Sequence, residues 1–271
     1  MKPYVFRGGT AVVTGAASGI GEALAHDLAS RGSGLVLLDR DAERLAGVAA
    51  AIRSRRAVPV DTLVADLADR AATLAAADRL AEEHPEATLL VNNAGVALGG
   101  RFEQLTLEEF DWLLDINFRA PVALTHRLLP VLRSHPGSHL VNVSSVFGII
   151  APPSQSAYVA SKFALRGFTE ALRAELAGRV GVTAVHPGSI RTRIAETARM
   201  AEGMSRAEVA AGHALFERLL RIPPSVAAEA ILDGVERRRG RVLIGASASI
   251  PDAVARLAPV GYTRLLRLDR R

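Results

Sequence analysis

The 271-residue sequence contains no cysteine. This absence excludes a disulfide framework, a thiolate zinc site, an iron–sulfur cluster and a cysteine nucleophile. Long apolar runs are also missing, because Gly, Pro or charged residues interrupt each of them, so no membrane-spanning helix is expected. The first ten residues, MKPYVFRGGT, lack the cleavable apolar stretch of a secretory signal, and we expect a cytoplasmic protein.

Aromatic residues and lysine are scarce. Aromatics make up 4% of the chain, and lysine occurs only at Lys2 and Lys162. The net charge of +5 is concentrated at the end, where nine arginines and three acidic residues follow position 235 and the preceding residues sum to −1. Such a tail is weak evidence for a polyanionic partner, and without interleaved aromatics no nucleic-acid partner is expected. Because arginine supplies the other cations, Lys162 is a candidate for specific chemistry.

Short apolar segments alternate with longer segments of helical period, in a composition that is 49% hydrophobic and 23% charged. The predicted strands are Thr10–Thr14, Gly34–Asp39, Val58–Ala65, Thr88–Val91, His139–Ser144, Val180–His186 and Arg241–Ile244. The predicted helices are Gly19–Arg31, Asp41–Arg55, Arg70–Glu83, Leu107–Ser134, Ser156–Ala177 and Ser225–Arg238. Strands that are apolar throughout suit a sheet covered on both faces. We therefore predict a single doubly wound α/β domain over residues 1–271, with a mostly seven-stranded parallel sheet.

Ligands of doubly wound sheets bind beyond the carboxyl ends of the strands. The segments that follow the first six predicted strands are all polar or glycine-rich, and the topology places them on one rim. They are Gly15–Gly21, Asp39, Asp66, Asn92–Gly95, Ser144–Ser145 and Pro187–Gly188. No residue cluster with metal-ligand spacing accompanies them, and no metal site is predicted.

The segment TGAASGIG, residues 14–21, joins the first strand to a helix. Its small residues allow backbone amides to approach a diphosphate, and the helix N-terminus adds partial positive charge. The candidate binding residues are Gly15, Ser18, Gly19, Ile20 and Gly21. Taken alone, such a turn is also compatible with a tight connection that binds nothing.

An acidic residue, Asp39, ends the second predicted strand. A carboxylate at this place accepts hydrogen bonds from both ribose hydroxyls of an adenosine and repels a 2′-phosphate, which favours NAD over NADP. Arg40, the next residue, is able to host that phosphate, so NADP stays possible. The alternative for Asp39 is an N-cap of the helix that starts near Asp41.

Tyr158 and Lys162 lie at positions i and i+4 of a predicted helix, and therefore on one face. Free tyrosine has a pKa near ~10, and a neighbouring cation favours its phenolate. The alternative is a surface lysine one turn beyond a half-buried tyrosine.

In their order along the chain, these motifs make the sequence similar to the short-chain dehydrogenase/reductase family. The matching pieces are TGAASGIG at 14–21, Asp39, Asp66, NNAG at 92–95, Asn117, VNVSS at 141–145, YVASK at 158–162 and PGSIRT at 187–192. The resemblance spans Thr10 to about Ile244. It implies a Rossmann domain, nicotinamide-dependent hydride transfer between a secondary alcohol and its ketone, and a homodimer or homotetramer paired through the helices that contain Asn117 and Tyr158.

The resemblance also implies catalytic roles. Ser145, thirteen positions before Tyr158, would bind the substrate oxygen. Tyr158 would transfer the proton, and Lys162 would lower the pKa of Tyr158 and hold the nicotinamide ribose. Asn117 would hold a water that links Lys162 to solvent, or would instead be satisfied by helix backbone at a bend.

Further residues would line the adenosine half of the cofactor. Asp66 would accept from the adenine amino group, and the amide of Leu67 would complete that contact. Asn93 and Ala94 belong to the NNAG motif, in which Asn93 is expected to brace the central strands as much as to bind. Gly95 permits close approach of the backbone to the adenosine.

Other residues would surround the nicotinamide half. Pro187 and Gly188 would turn the chain over the ring, and Ile190 and Thr192 would meet its carboxamide. For Thr192 the alternative is an N-cap of a following helix. His186, just before this turn, is predicted to be a packing residue.

Two segments are expected to cover the substrate: the apolar loop Val146–Gln155 and a lid over residues 190–222. The lid carries apolar side chains at roughly helical spacing, namely Ile194, Met200, Met204, Leu215, Phe216 and Leu219. That stripe suits either core packing or a substrate wall. Because no charge clamp is apparent, a hydrophobic alcohol or ketone is expected rather than a sugar phosphate.

The basic C-terminal extension, residues 251–271, mixes leucines with arginines. It suits a helix packed on a neighbouring subunit or, as an alternative, an amphipathic segment lying on an anionic membrane surface. Two other functions stay open: an NADPH-dependent carbonyl reductase, and a non-catalytic nucleotide-sensing protein that binds a partner through this extension.

Overall fold

A parallel sheet forms the centre of the computed structural model, which describes residues 1–194, 196–266 and 268, with the backbone alone over 215–219. The strands are β1 (Thr10–Thr14), β2 (Gly34–Asp39), β3 (Val60–Val64), β4 (Ala87–Asn92), β5 (Leu98–Gly99), β6 (His139–Val143), β7 (Gly181–Pro187), β8 (Arg199–Met200) and β9 (Arg241–Ile244). The main sheet has the order β3-β2-β1-β4-β6-β7-β9, and all of its pairings are parallel. The predicted doubly wound, seven-stranded α/β fold is confirmed.

Helices cover both faces of the sheet. They are α1 (Gly19–Ser30), α2 (Ala42–Arg53), α3 (Arg70–Glu83), α4 (Leu107–Leu114), α5 (Ala120–Ser134), α6 (Ser156–Glu175), α7 (Arg206–Leu219), α8 (Pro224–Glu236), α9 (Ala246–Leu257) and α10 (Tyr262–Leu265). One apolar cluster joins the sheet to α1, α2 and α8, and a second joins its other face to α3, α5 and α6. Within β1, Val13 belongs to the first cluster and Val12 to the second, which explains why the strands are apolar throughout. None of the helices in the described ranges is long and apolar enough to cross a membrane.

The prediction of one continuous helix over Leu107–Ser134 is wrong for the middle of that segment. The structure divides it into α4, a π-helical turn at Asp115–Arg119, and α5. Pro121 has no N–H to donate to the carbonyl four residues earlier, at Asn117, so regular α geometry is interrupted there. The amide of Ala120 instead reaches the carbonyl of Asp115, five residues back. The wide turn places Asn117 on the inner side of the helix, fully buried.

Two buried histidines make the fold sensitive to acid. His139 accepts a hydrogen bond from the Arg238 guanidinium at Nδ1 (2.9 Å) and donates from Nε2 to Thr183 Oγ1 (2.8 Å). Burial, reinforced by Arg238, lowers the pKa of His139 to about 3. Burial likewise lowers the pKa of His186 to about 4. Both rings are therefore neutral in the folded protein near neutral pH.

We expect stability to fall as the pH drops below 6.5, since unfolded histidine takes up a proton there and these rings do not. Between pH 7.5 and 5 the free energy of unfolding should decrease by about 2 kcal/mol for each of the two histidines. His139→Gln should halve the combined decrease that the two histidines cause, as measured by urea titrations at the two pH values. The matched variant at exposed His126 should keep the full decrease, and an unchanged pH dependence in His139→Gln would contradict the account.

Candidate active site

The loops at the carboxyl ends of β1, β2, β4, β6 and β7 surround a cavity of about 1230 Å³. Most residues predicted for the site line it: Gly15, Ser18, Gly19, Ile20, Asp39, Arg40, Asp66, Leu67, Asn93, Ala94, Gly95, Ser145, Tyr158, Lys162, Pro187, Gly188, Ile190 and Thr192. Gly21 and Asn117 are not among its lining residues. In the part of the chain that the structure describes, no group of His, Cys, Asp or Glu is arranged to hold a metal ion.

The glycine turn after β1 is shaped for close backbone approach. Gly15 has φ of +67°, and a side chain there would bring its Cβ within 2.8 Å of Ala94 Cα. A Cβ at Gly21 would collide with the carbonyl oxygen of Gly15, so Gly21 allows α1 to pack on the turn rather than touch a ligand. Ser18, the N-cap of α1, makes no side-chain cap hydrogen bond. Free amides, a free hydroxyl and the positive end of α1 together fit a diphosphate.

Asp39 does not cap the next helix, because Asp41 is the N-cap of α2 and accepts from the amide of Arg44. The Asp39 carboxylate instead accepts from the amide of Ala17 in the glycine turn (3.0 Å) and from the amide of Asp41 (3.1 Å). It is thereby fixed beside the turn that fits a diphosphate. Exposed Arg40 lies next to it on the cavity wall.

Asp66 and Leu67, which follow β3, lie on the same cavity wall. The Asp66 carboxylate accepts from the amide of Ala68 at 2.9 Å, which fixes its orientation. The helix that follows has a cap of its own in Asp69. Asp66 is therefore not required as a helix cap and is free to face a ligand.

Asn93 braces the point where the strand order reverses. Its Nδ2 donates to the carbonyls of Thr14 (2.9 Å) and Gly15 (3.3 Å), and its amide donates to Thr14 Oγ1 (3.0 Å). The amide of Ala94 donates to the same hydroxyl at 3.0 Å. These bonds join the end of β4 to the glycine turn, so the expected bracing role is what the structure displays.

Ser145, Tyr158 and Lys162 meet on the other side of the cavity. The Ser145 hydroxyl lies within hydrogen-bonding reach of the Tyr158 phenol and accepts from the amide of Phe147 at 3.1 Å. The Lys162 ammonium lies 5.7 Å from the centre of the Tyr158 ring and donates to the Val143 carbonyl at 3.1 Å. The neighbouring Ser144 is occupied elsewhere, since its hydroxyl donates to the Lys162 carbonyl at 2.9 Å.

The electrostatics of this group differ from the expectation that Lys162 acidifies the phenol. Burial raises the pKa of Tyr158, with the Ser145 hydrogen bond acting in the opposite direction, and Lys162 is not among the causes. Burial lowers the pKa of Lys162 itself to about 8. Desolvation disfavours the charged form of each group and outweighs their attraction at this distance. The phenol is thus neutral near pH 7, which suits a proton donor.

The Asn117 side chain is not satisfied by the backbone of its own helix, which was one of the two expectations for it. Its Oδ1 accepts from the amide of Val96 (2.9 Å), and its Nδ2 donates to the Val96 carbonyl (3.0 Å) and to Ser161 Oγ (3.2 Å). The side chain therefore binds the backbone after β4 rather than that of its own helix. A Cβ at Gly95 would lie 3.2 Å from both Asn117 Oδ1 and Lys162 Nζ, so both groups lie against the Gly95 backbone.

The turn after β7 reaches back toward the glycine turn. Ile190 is buried and forms an isolated bridge with Ile222. The Thr192 methyl group lies 3.0 Å from where a Cβ of Gly19 would stand. Thr192 does not cap α7, which has its own cap in Ser205, and among the described residues the Thr192 hydroxyl accepts from the Ile194 amide at 3.4 Å.

The substrate side of the cavity is mainly apolar. Its wall includes Ile150, Pro152, Pro153, Ile194, Met200, Met204 and Leu220. Of the predicted apolar stripe, Ile194, Met200 and Met204 thus face the cavity, while the side chains of Leu215, Phe216 and Leu219 lie outside the described structure. His186 is buried beneath the catalytic loop, where its Nδ1 donates to the Ser145 carbonyl at 2.9 Å. It packs at the strand end and also fixes the backbone of Ser145.

Some residues at the entrance were not anticipated from the sequence. Glu208 in α7 accepts from Arg101 (3.0 Å) and Gln104 (3.2 Å), which connects the lid to the loop after β5. The capping box between Ser205 and Glu208 was a visible signal for α7. From the C-terminal extension, Tyr262 accepts a hydrogen bond from the amide of Ala151 at 3.0 Å, for which no sequence motif exists.

Comparisons with known proteins agree with this architecture. Residues 9–203 match the family model described as short chain dehydrogenase. SadH of Mycobacterium tuberculosis is 40% identical over 269 residues, which cover 96% of this chain and 95% of that protein.

Solved structures show the same likeness over nearly the whole chain. A short-chain dehydrogenase/reductase from Burkholderia phymatum in complex with NAD has a TM-score of 0.84 at 29% identity, covering 99% of this chain and 97% of that one. A short-chain dehydrogenase from Sphingobium yanoikuyae in complex with NADPH has a TM-score of 0.77 at 30% identity, covering 97% and 96%. The chain is therefore an oxidoreductase of the short-chain dehydrogenase/reductase family.

Proposed function

We propose that the protein interconverts a secondary alcohol and its ketone with NAD(H) as the hydride carrier. One observation carries the proposal: Ser145, Tyr158 and Lys162 share a single cavity with a glycine turn shaped for a diphosphate and with Asp39. A nicotinamide cofactor, when bound, supplies or accepts the hydride. The remaining chemistry belongs to side chains of this chain.

Each catalytic group has a task that its surroundings support. The Ser145 hydroxyl donates to the substrate oxygen and stabilises the charge that develops there. Tyr158 is neutral near pH 7, because its pKa is about 10 when free and burial raises it further. It donates its proton to that oxygen during ketone reduction and removes it during alcohol oxidation. Lys162, whose ammonium is fixed by the Val143 carbonyl, stabilises the phenolate left behind and offers donors to the nicotinamide ribose.

The preference for NAD rests on the fixed carboxylate of Asp39. Held by the amides of Ala17 and Asp41, it cannot turn away from a 2′-phosphate, and its free lone pairs suit ribose hydroxyls. A second candidate function is an NADPH-dependent carbonyl reductase, favoured by Arg40 and Arg44 on the same cavity wall. Arg44 is already paired with Asp41 at 3.3 Å, which leaves Arg40 as the cation for that phosphate.

Replacing Asp39 with Asn should separate the two candidates. Removal of the charge should weaken NAD binding and strengthen NADP binding, so that the ratio of their dissociation constants shifts by about tenfold or more, or at least 1.4 kcal/mol. Both constants are measurable by fluorescence titration. Asp61→Asn, which removes a carboxylate from an exposed residue of β3 that does not line the cavity, serves as the control. A wild-type protein that prefers NADP, with a ratio unmoved by Asp39→Asn, would favour the second candidate.

We further propose that the substrate is hydrophobic and that residues 190–222 act as its lid. The apolar wall around Met200 and Met204 supports this, and the lid is tied to the body by β8, which pairs with β5. A panel of ketones and sugar phosphates assayed with NADH should give the higher kcat/KM for apolar ketones. Cofactor binding without turnover across the panel would instead support a non-catalytic nucleotide sensor.

We also propose a homodimer or homotetramer paired through α5 and α6. Phe163, on α6, is 38% exposed and presents an aromatic ring on the surface of that helix. Pairing of these helices between subunits would cover it.

A further inference from the structure

A second cleft, of about 660 Å³, lies between α6, β9 and α9 and shares no lining residue with the catalytic cavity. We call it the arginine cleft and define it by its charged residues. These are Arg166, Glu170, Arg173, Arg241, Asp252 and Arg256. Four guanidinium groups therefore meet two carboxylates, and the cleft holds two positive charges in excess.

The Asp252 carboxylate forms ion pairs with two of the arginines. The Arg241 guanidinium binds it through two nitrogens, at 3.1 and 2.5 Å, and Arg256 Nε lies 3.1 Å from it. One carboxylate charge is thus divided between two cations. The side chains of Arg241 and Asp252 are only 19% and 10% exposed, so water screens this pair less than it screens surface charges.

Glu170, the second carboxylate of the cleft, is hydrogen-bonded to one arginine and also feels the charges of two others. Arg166 binds it at 2.9 Å, while Arg173 donates to the Gly240 carbonyl at 3.0 Å and has no carboxylate among its hydrogen-bond partners. Burial raises the pKa of Glu170, but Arg166, Arg173 and Arg241 together outweigh it and leave the pKa lowered. Three cations therefore act on this one carboxylate.

We propose that the arginine cleft binds a phosphate group, either inorganic phosphate or the phosphate of a monoester. The excess of two positive charges matches a dianion, which phosphate approaches near neutral pH. Planar guanidinium forks bind phosphate oxygens through paired hydrogen bonds. Arg173 and exposed Arg256, on the opposite walls formed by α6 and α9, keep donors outside these hydrogen bonds. The buried Nε of Arg241 also has no hydrogen-bond partner within the described part of the chain.

Inorganic phosphate is the probe for the test. Calorimetric titration at constant ionic strength should show binding to the wild-type protein. The double variant R173Q/R256Q should weaken it by at least tenfold, since it removes two cations and their charged hydrogen bonds to the phosphate. The control R55Q/R56Q removes the same charge from exposed residues after α2, near the opposite edge of the sheet. It should leave the dissociation constant unchanged.

Two results would overturn the proposal. The first is no detectable binding of phosphate to the wild-type protein. The second is equal binding to R173Q/R256Q, which would place the anion at the glycine turn after β1 instead. Co-sedimentation with phosphatidic acid vesicles, with phosphatidylcholine vesicles as the reference, then identifies the source of the phosphate. Capture by phosphatidic acid vesicles that R173Q/R256Q abolishes assigns the cleft to a lipid phosphate. No capture of the wild-type protein assigns the cleft to a soluble phosphate. Neither measurement depends on turnover, so the result for the arginine cleft is independent of whether the proposed activity is correct.

Discussion

Tyr158→Phe should lower kcat for ketone reduction about 10³-fold, which corresponds to ~4 kcal/mol of transition-state stabilisation. The substitution removes only the phenolic oxygen, the atom proposed to exchange a proton with the substrate oxygen. The ring itself packs in an apolar cluster with Leu98 and Leu113, so phenylalanine should leave the packing intact. Stopped-flow single-turnover assays with NADH measure the chemical step directly.

Tyr4→Phe is the matched control for this change. Its side chain is buried, and its hydroxyl is hydrogen-bonded to Thr88 Oγ1 at 2.8 Å, remote from the cavity. Removing it should cost about 1 kcal/mol of stability and leave kcat unchanged. Equal turnover in Tyr158→Phe and wild type would refute the assignment of Tyr158 as the proton donor.

The central strands could be predicted from the sequence because they carry their signal locally. Residues 10–14 and 34–39 are apolar without alternation, and both are buried on two faces of the sheet. The glycine turn was equally visible, since its spacing follows from the close packing between Gly21 and Gly15. In these segments each residue's local pattern agrees with its place in the fold.

The elements that could not be predicted depend on distant partners. Strands β5 and β8 have two residues each and exist only because the lid returns to the loop after β4. Helix α9 lacks an apolar stripe facing the sheet: its buried positions are Ala248 and the charged Asp252, held by Arg241. A two-residue strand has no hydrophobic period to detect, and in α9 the buried positions do not follow the apolar residues, since Ile250 and Leu257 are exposed.

The same limit applied to the site. Motifs identified the residues that gather around the cavity, but not how their side chains are satisfied. Asn117 bonds to Val96, a partner 21 residues away that comes within reach only through the π-helical turn. The raised pKa of Tyr158 likewise follows from its burial, which depends on the whole surrounding fold rather than on the spacing to Lys162.

Lys162→Met should abolish most of the activity and yet stabilise the protein. Burial lowers the pKa of Lys162 from 10.5 to about 8, so at pH 7 the folded state holds a charge that the unfolded state holds more easily. The penalty is about 3 kcal/mol, is fully present below pH 8, and is relieved as the pH rises toward 10.5. Methionine removes it, at a cost of about 1 kcal/mol for leaving the Val143 carbonyl unpaired.

The expected net gain is therefore about 2 kcal/mol at pH 7, or a rise in Tm of about 4–8 °C, together with a loss of kcat of about 10²-fold or more. Calorimetry at pH 7 and at pH 10 should show the gain shrinking at the higher pH, because the wild-type lysine loses its charge there. Lys2→Met, at the only other lysine in the chain, should change neither property. A Lys162→Met protein that is less stable than wild type at pH 7 would contradict this account, because it would show that the buried ammonium does not lower the free energy of unfolding.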